Sequence, residues 1–167
     1  CWRVRYRDEH LEWSDWSTPL SFTTGASTFS ANLLSNSGAE NGTINWTATN
    51  GSIESLTNGE CDGIAPFAGN RYFAVGGLCA GNETPFSEAV QSVDVSSFAS
   101  DIDGGNFFAN FGSRFSNFNG NDRPAMRLEF LSSSGTSIGA TGELTTLSSS
   151  WVLLENTVTI PANTRSV

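Results

Sequence analysis

Strict alternation of apolar and polar residues, broken every few positions by Gly, Asn or Ser, constrains this chain more than any other feature. In residues 125–130, Met126, Leu128 and Phe130 fall on one face and Arg127 and Glu129 on the other. In residues 106–115, Phe107, Ala109, Phe111 and Phe115 share a face. Asn110, Gly112 and Arg114 occupy the opposite one, together with an apolar outlier, Phe108. Residues 151–161 place Val152, Leu154, Val158 and Ile160 together, and near the start Trp2, Val4 and Tyr6 alternate with Arg3, Arg5 and Arg7. Successive side chains of a strand point to opposite faces, so these runs read as half-buried strands. No segment of useful length carries the helical period. Many short strands separated by turns predict an all-β fold, a jelly-roll β-sandwich.

Composition narrows the setting. The 167 residues suffice for one good-sized domain plus a fragment. Acidic residues number 17 against 8 basic ones, all of them Arg. An acidic chain without Lys lacks the basic patches that nucleic acid or an anionic membrane surface requires. No apolar run is long enough to span a bilayer. Ser, Thr, Asn and Gly are abundant while charged residues make up only 15%, the look of an extracellular β-protein. No signal peptide is visible, and the chain does not open as a gene product would.

Residues 1–24 contain the Arg/aromatic strand, a polar turn with His10, and Trp13-Ser14-Asp15-Trp16-Ser17. Guanidinium planes layered with indole rings would make a cation–π ladder. This stretch resembles the last two strands of a fibronectin type III domain, of which seven or so strands make a whole. It therefore reads as the remnant of one, an F–G hairpin, with Cys1 a core residue of the missing part. Residues 25–30 have the small-residue composition of a linker. The second domain is expected over residues 31–167.

That domain opens on Asn32-Leu-Leu-Ser-Asn-Ser-Gly-Ala-Glu-Asn-Gly, followed by Trp46, read as a strand, a glycine turn bearing Glu40, and a second strand. With Pro66-Phe-Ala-Gly-Asn-Arg-Tyr-Phe and Gln91-Ser-Val-Asp-Val-Ser, it resembles bacterial carbohydrate-binding-module-like β-sandwiches of the galactose-binding-like superfamily. The resemblance implies that Trp46 is core and that Glu40 sits where a structural calcium is often held. The other ligands would be carbonyls near the first strand and an acidic residue of a last strand beyond Val167. Residues 161–167 would begin one more strand. The chain then reads as part of a longer polypeptide, its open edges completed by further chain or by neighbouring molecules through strand addition.

Several residues carry candidate chemistry. Cys61 and Cys79 flank a loop and a strand at a spacing that suits a disulfide in a secreted chain, worth about 3 kcal/mol by loop entropy, against two buried free thiols. Zinc spacing is absent. His10 is the only histidine, so no Ser/His or Cys/His relay can be assembled, and the acids lie scattered singly; no enzyme is expected. Glu40 is a hard-oxygen ligand suited to calcium, or else a solvated turn carboxylate. The Asp101-Ile-Asp103-Gly stretch reads as an Asx turn. If residues 106–115 and 125–130 pair as a hairpin, one solvent face carries Phe108, Asn110, Arg114, Arg127 and Glu129. An aromatic ring among planar hydrogen-bonding groups suits polyol recognition; the competing reading is an Arg–Glu pair beside a partly buried Phe. Trp46 and Trp151 read as core rather than platform. Asn41, Asn45, Asn50 and Asn82 each open a glycosylation sequon, a match that arises readily by chance in such a composition.

The functional expectation is a non-catalytic module that binds a polysaccharide or glycan, within a large secreted multidomain protein. The alternatives are a structural spacer or adhesin domain of a surface protein without its own ligand, and a protein-recognition domain of the receptor-ectodomain kind.

Overall fold

The computed structural model describes Arg7 and residues 14–18, 29–118, 120 and 122–167. The chain divides into two compact units, Cys1–Ser30 and Ala31–Val167. The hairpin expected over residues 1–24 lies outside the described residues except for Arg7 and 14–18, as do Cys1 and His10.

The second unit is an all-β structure with little helix. Its strands in chain order are β1 (Thr47–Asn50), β2 (Ile53–Thr57), β3 (Arg71–Val75), β4 (Glu88–Val90), β5 (Phe108–Phe115), β6 (Ala125–Met126), β7 (Glu129–Leu131), β8 (Ser137–Ala140), β9 (Leu144–Thr145) and β10 (Val152–Thr159). Every ladder between them is antiparallel: β1 with β4, β2 with β3, β5 with β10, β6 with β9, and β7 with β8. The longest is β5–β10, which runs from Phe108 opposite Thr159 to Phe115 opposite Val152.

The expected pairing of β5 with residues 125–130 is replaced by this β5–β10 ladder. Alternation fixes which face of a strand is buried, not which strand lies beside it. Here β10 offers 8 residues to match the 8 of β5, whereas residues 125–130 split into the short strands β6 and β7, each with its own partner. The inward positions within that stretch are nonetheless as the alternation requires, with Phe130 buried and Leu128 packed against the same core.

Residues 32–46 also differ from the expected strand–turn–strand. They form successive turns before β1, because polar side chains satisfy the backbone locally and displace a ladder. Asn36 donates from Nδ2 to the carbonyls of Gly42 and Ile44 and accepts the Asn41 N–H. Gln91 fastens the far side, donating to the carbonyls of Ser35 and Asn45 while accepting the Ser35 N–H.

The turn expected at residues 101–105 is a short helix, α1 (Ala99–Asp103). It follows a 3-10 turn at Ser96–Phe98 that begins where Asp94 Oδ1 accepts the Ser96 N–H at 2.8 Å. It closes with the Asn106 N–H on the Asp101 carbonyl and the Gly105 N–H on that of Ile102, the bond pair of a Schellman cap. Asp103 is not an Asx-turn residue. Its carboxylate takes the Asn163 N–H and a bidentate pair from Arg165. Residues 165–167 then run between two segments, exchanging backbone bonds with Val93, Val95 and Leu131.

Two cores result. One gathers Val95, Ile102, Phe130 and Ile160, and the other Leu56, Tyr72 and Ala74 with Ile64, Leu78 and Trp151 against them. Trp46 rests against Phe73, ring centroids 5.3 Å apart, and Trp151 meets Tyr72 edge-on at 5.9 Å. Among the described residues no helix is long and apolar enough to cross a membrane.

Candidate functional site

The β5–β10 ladder buries one face and presents the other. Phe111 and Phe115 turn inward. The outward cross-strand pairs are Phe108 with Thr159, Asn110 with Thr157, Gly112 with Glu155, and Arg114 with Leu153. Directly opposed residues share a face, so these side chains form one surface. Phe108 is 53% exposed, which agrees with its place among the polar positions of the alternation.

Three groups give this face its chemistry. Asn110 donates from Nδ2 to Thr157 Oγ1 at 3.0 Å, so its carbonyl oxygen stays an acceptor and the threonine hydroxyl a donor. Gly112 leaves the middle of the face without a side chain: a Cβ there would collide with the Leu154 carbonyl oxygen and the Glu155 Cα of the neighbouring strand. Arg114 lies with its guanidinium carbon 3.6 Å from the centroid of the Phe67 ring. That is cation–π contact. Phe67, itself 53% exposed, comes from the loop between β2 and β3.

Phe67, Thr157 and Glu155 are absent from the candidates named from sequence. Phe67 sits in a loop with no periodicity to mark its direction, and Thr157 and Glu155 join the face only because β10 is the partner of β5. Arg127 and Glu129 are exposed but do not stand opposite β5; β6 lies beside β5 without a hydrogen-bonded ladder to it. Phe108, Asn110 and Arg114 are thus brought together, and Arg127 and Glu129 are left outside that set.

Glu40 has a different environment. Its Oε1 accepts the backbone N–H groups of Asn70 at 2.8 Å and Arg71 at 3.1 Å, and Oε2 has a 3.4 Å contact from Asn70 Nδ2. Gly69, at φ +71°, makes room: any Cβ there would strike Glu40 Oε1. The two backbone N–H groups hold the carboxyl below its ordinary value. Each of these partners is a donor, whereas calcium takes six to eight oxygens. Among the described residues no group of three or more His, Cys, Asp or Glu could hold a metal ion. Through these bonds Glu40 fastens the 32–46 turns to the start of β3.

Cys61 and Cys79 form the disulfide their spacing predicts, with Cα atoms 5.0 Å apart. Beside it, Glu54 accepts the N–H groups of Leu78 and Cys79 and the amide of Asn82. Burial pushes the Glu54 carboxyl up, but these hydrogen bonds together outweigh it and the net direction is down. A polar hollow of about 340 Å³, lined among others by Asp94, Ser132, Ser133 and Arg165, has its charges already engaged: Asp94 with Ser96, and Arg165 with Asp103.

Comparisons with protein-family models, with curated proteins and with solved structures each find no match to this chain.

Proposed function

We propose that this chain is a non-catalytic carbohydrate-binding module with a jelly-roll β-sandwich as its second unit, belonging to a secreted, multidomain extracellular protein. The observation that carries the reading is the outward β5–β10 face. It sets two half-exposed aromatic rings, Phe67 and Phe108, around a row of planar polar groups: Asn110, Glu155 and the Arg114 guanidinium. Rings supply the apolar surface on which a pyranose stacks, and amide, carboxylate and guanidinium groups bond its hydroxyls. Arg127 and Glu129 serve as outlying polar contacts in this reading. The disulfide favours an oxidising compartment.

A glycan array, followed by electrophoresis in polysaccharide gels, tests the proposal; clean negatives over neutral and acidic glycans would sink it. The competing reading, a spacer or adhesin domain without a ligand, draws on the division into two compact units, and it gains from such negatives. A calcium ion enters the proposal at one atom, Glu40 Oε2, which has only the long Asn70 contact. A melting temperature raised by calcium and lowered by EDTA supports that ion, and indifference to both removes it.

A further inference from the structure

We propose that the β5–β10 face selects an anionic glycan, one whose sugar ring carries a carboxylate or sulfate ester that Arg114 receives. This rests on the reading that the face binds carbohydrate.

Three of the five arginines of the second unit are engaged. Arg165 is locked bidentately to Asp103, Arg71 donates to Ser55, and Arg123 donates to Thr145. Arg127 and Arg114 have no such partner among the described residues, and of the two only Arg114 is held in place by a ring. Among the described residues no carboxylate pairs with Arg114 and no hydrogen bond takes its guanidinium, which rests on the Phe67 ring. That contact holds the planar fork in place, so little side-chain freedom remains to be lost when it pairs with an anion. In a chain of net charge −9, an unpaired, pre-oriented guanidinium on an aromatic-bearing face is an exception to the chain's own charge.

The neighbours fit the rest of such a ring. Gly112 lies two residues along β5, roughly 7 Å at strand rise, about the width of one substituted pyranose. Gly112 adds no side chain to the face, because the backbone of the neighbouring strand fills the place of a Cβ, and Glu155 opposite it accepts hydroxyl hydrogens. An anionic group placed at Glu155 would be repelled, so the ring is oriented with its charge toward Arg114. Phe67, stacked against Arg114 and half-exposed, offers apolar ring surface to the next sugar.

Affinity gels containing polygalacturonate, a sulfated galactan, or a neutral galactan test this with the whole chain, Arg114→Gln and Arg114→Lys, each checked by thermal melting. The wild type is expected to be retarded by an anionic gel. Arg114→Gln should bind at least about tenfold more weakly, and Arg114→Lys should fall between. Retention by polygalacturonate identifies the charged group as a carboxylate, and retention by the sulfated galactan as a sulfate ester; either supports the proposal. Should Arg114→Gln fail to fold, the salt response of the wild type decides: anionic retardation falls as sodium chloride rises, and indifference to salt overturns the inference. Equal anionic retardation of wild type and Arg114→Gln overturns it too. Retention by the neutral galactan alone overturns it while leaving the carbohydrate reading intact. No retention in any gel overturns the inference, and clean negatives over the glycan array overturn the carbohydrate reading with it.

Discussion

The two cores of the second unit are stabilised by different means. The Ile102 core draws Val95, Ile102, Phe130 and Ile160 from four separate segments. Phe98 and Phe107 stack at its margin, with centroids 4.7 Å apart. Apolar burial there is joined by the Asp103 carboxylate, which ties α1 to Asn163 and Arg165. The Tyr72 core is smaller, with Leu56, Tyr72 and Ala74 buried, and it carries staples: the Cys61–Cys79 bridge, the Glu54 hydrogen bonds, and Trp151 Nε1 donating to the Ala65 carbonyl at 2.8 Å. Where alternation supplies enough apolar side chains, packing holds the strands and the Asp103–Arg165 ion pair fastens α1. Where loops rich in Gly and Asn dilute them, covalent and charged links compensate.

The largest effect is expected from breaking the first core. Ile102 has no exposed surface, and Ile102→Ala should cost about 2–5 kcal/mol from lost burial and the cavity left behind. Urea unfolding monitored by circular dichroism measures it, and a loss under about 1 kcal/mol would mean that the α1 plug is not central to the packing.

Next comes the staple of the second core. Replacing both Cys61 and Cys79 by Ser should cost about 3 kcal/mol. Hydrogen exchange sharpens the comparison, because protection should fall first in β2 and β3 while Val95 and Ile160 stay protected. Uniform loss would show that the two cores unfold as one.

Acid should produce a smaller effect. The Glu54 carboxyl is lowered from its ordinary 4.5 in the folded state, so the unfolded chain takes up its proton first as pH falls. The stability from Glu54 is therefore present above about pH 4.5 and lost as pH falls through the lower folded value. Glu40 and Asp103 shift in the same direction and deepen the acid loss. Melting temperatures from pH 7 to 3 should decline less steeply in Glu54→Gln than in the wild type; parallel curves would remove Glu54 from the account.

The Ile102 core is more legible in the sequence than the Tyr72 core. Leu128 and Phe130, and likewise Val158 and Ile160, declare their inward face by period-two alternation, and the structure follows it. Partner choice is not legible. It depends on which remote strand offers the longest matching ladder, and β10 lies far along the chain from β5. The turns at 32–46 read as strands in the sequence because Asn36 and Gln91 bond backbone groups in ways no periodicity records. The candidate face shows the same division. Phe108, Asn110 and Arg114 are readable because they lie on one strand, whereas Glu155 and Thr157 require the register, and Phe67 requires the path of a loop.

The most direct test of the functional claim sets wild type against Phe67→Ala in a polysaccharide gel chosen from the array, with thermal melting of both. Phe67 lies outside both cores and its ring is half-exposed, so its removal should leave the melting temperature close to that of the wild type. The expected result is retardation of the wild type, lost or sharply reduced in Phe67→Ala at an unchanged melting temperature. Equal retardation of the two proteins would contradict the account, since the face built around the Phe67–Arg114 stack would then not be where the glycan binds.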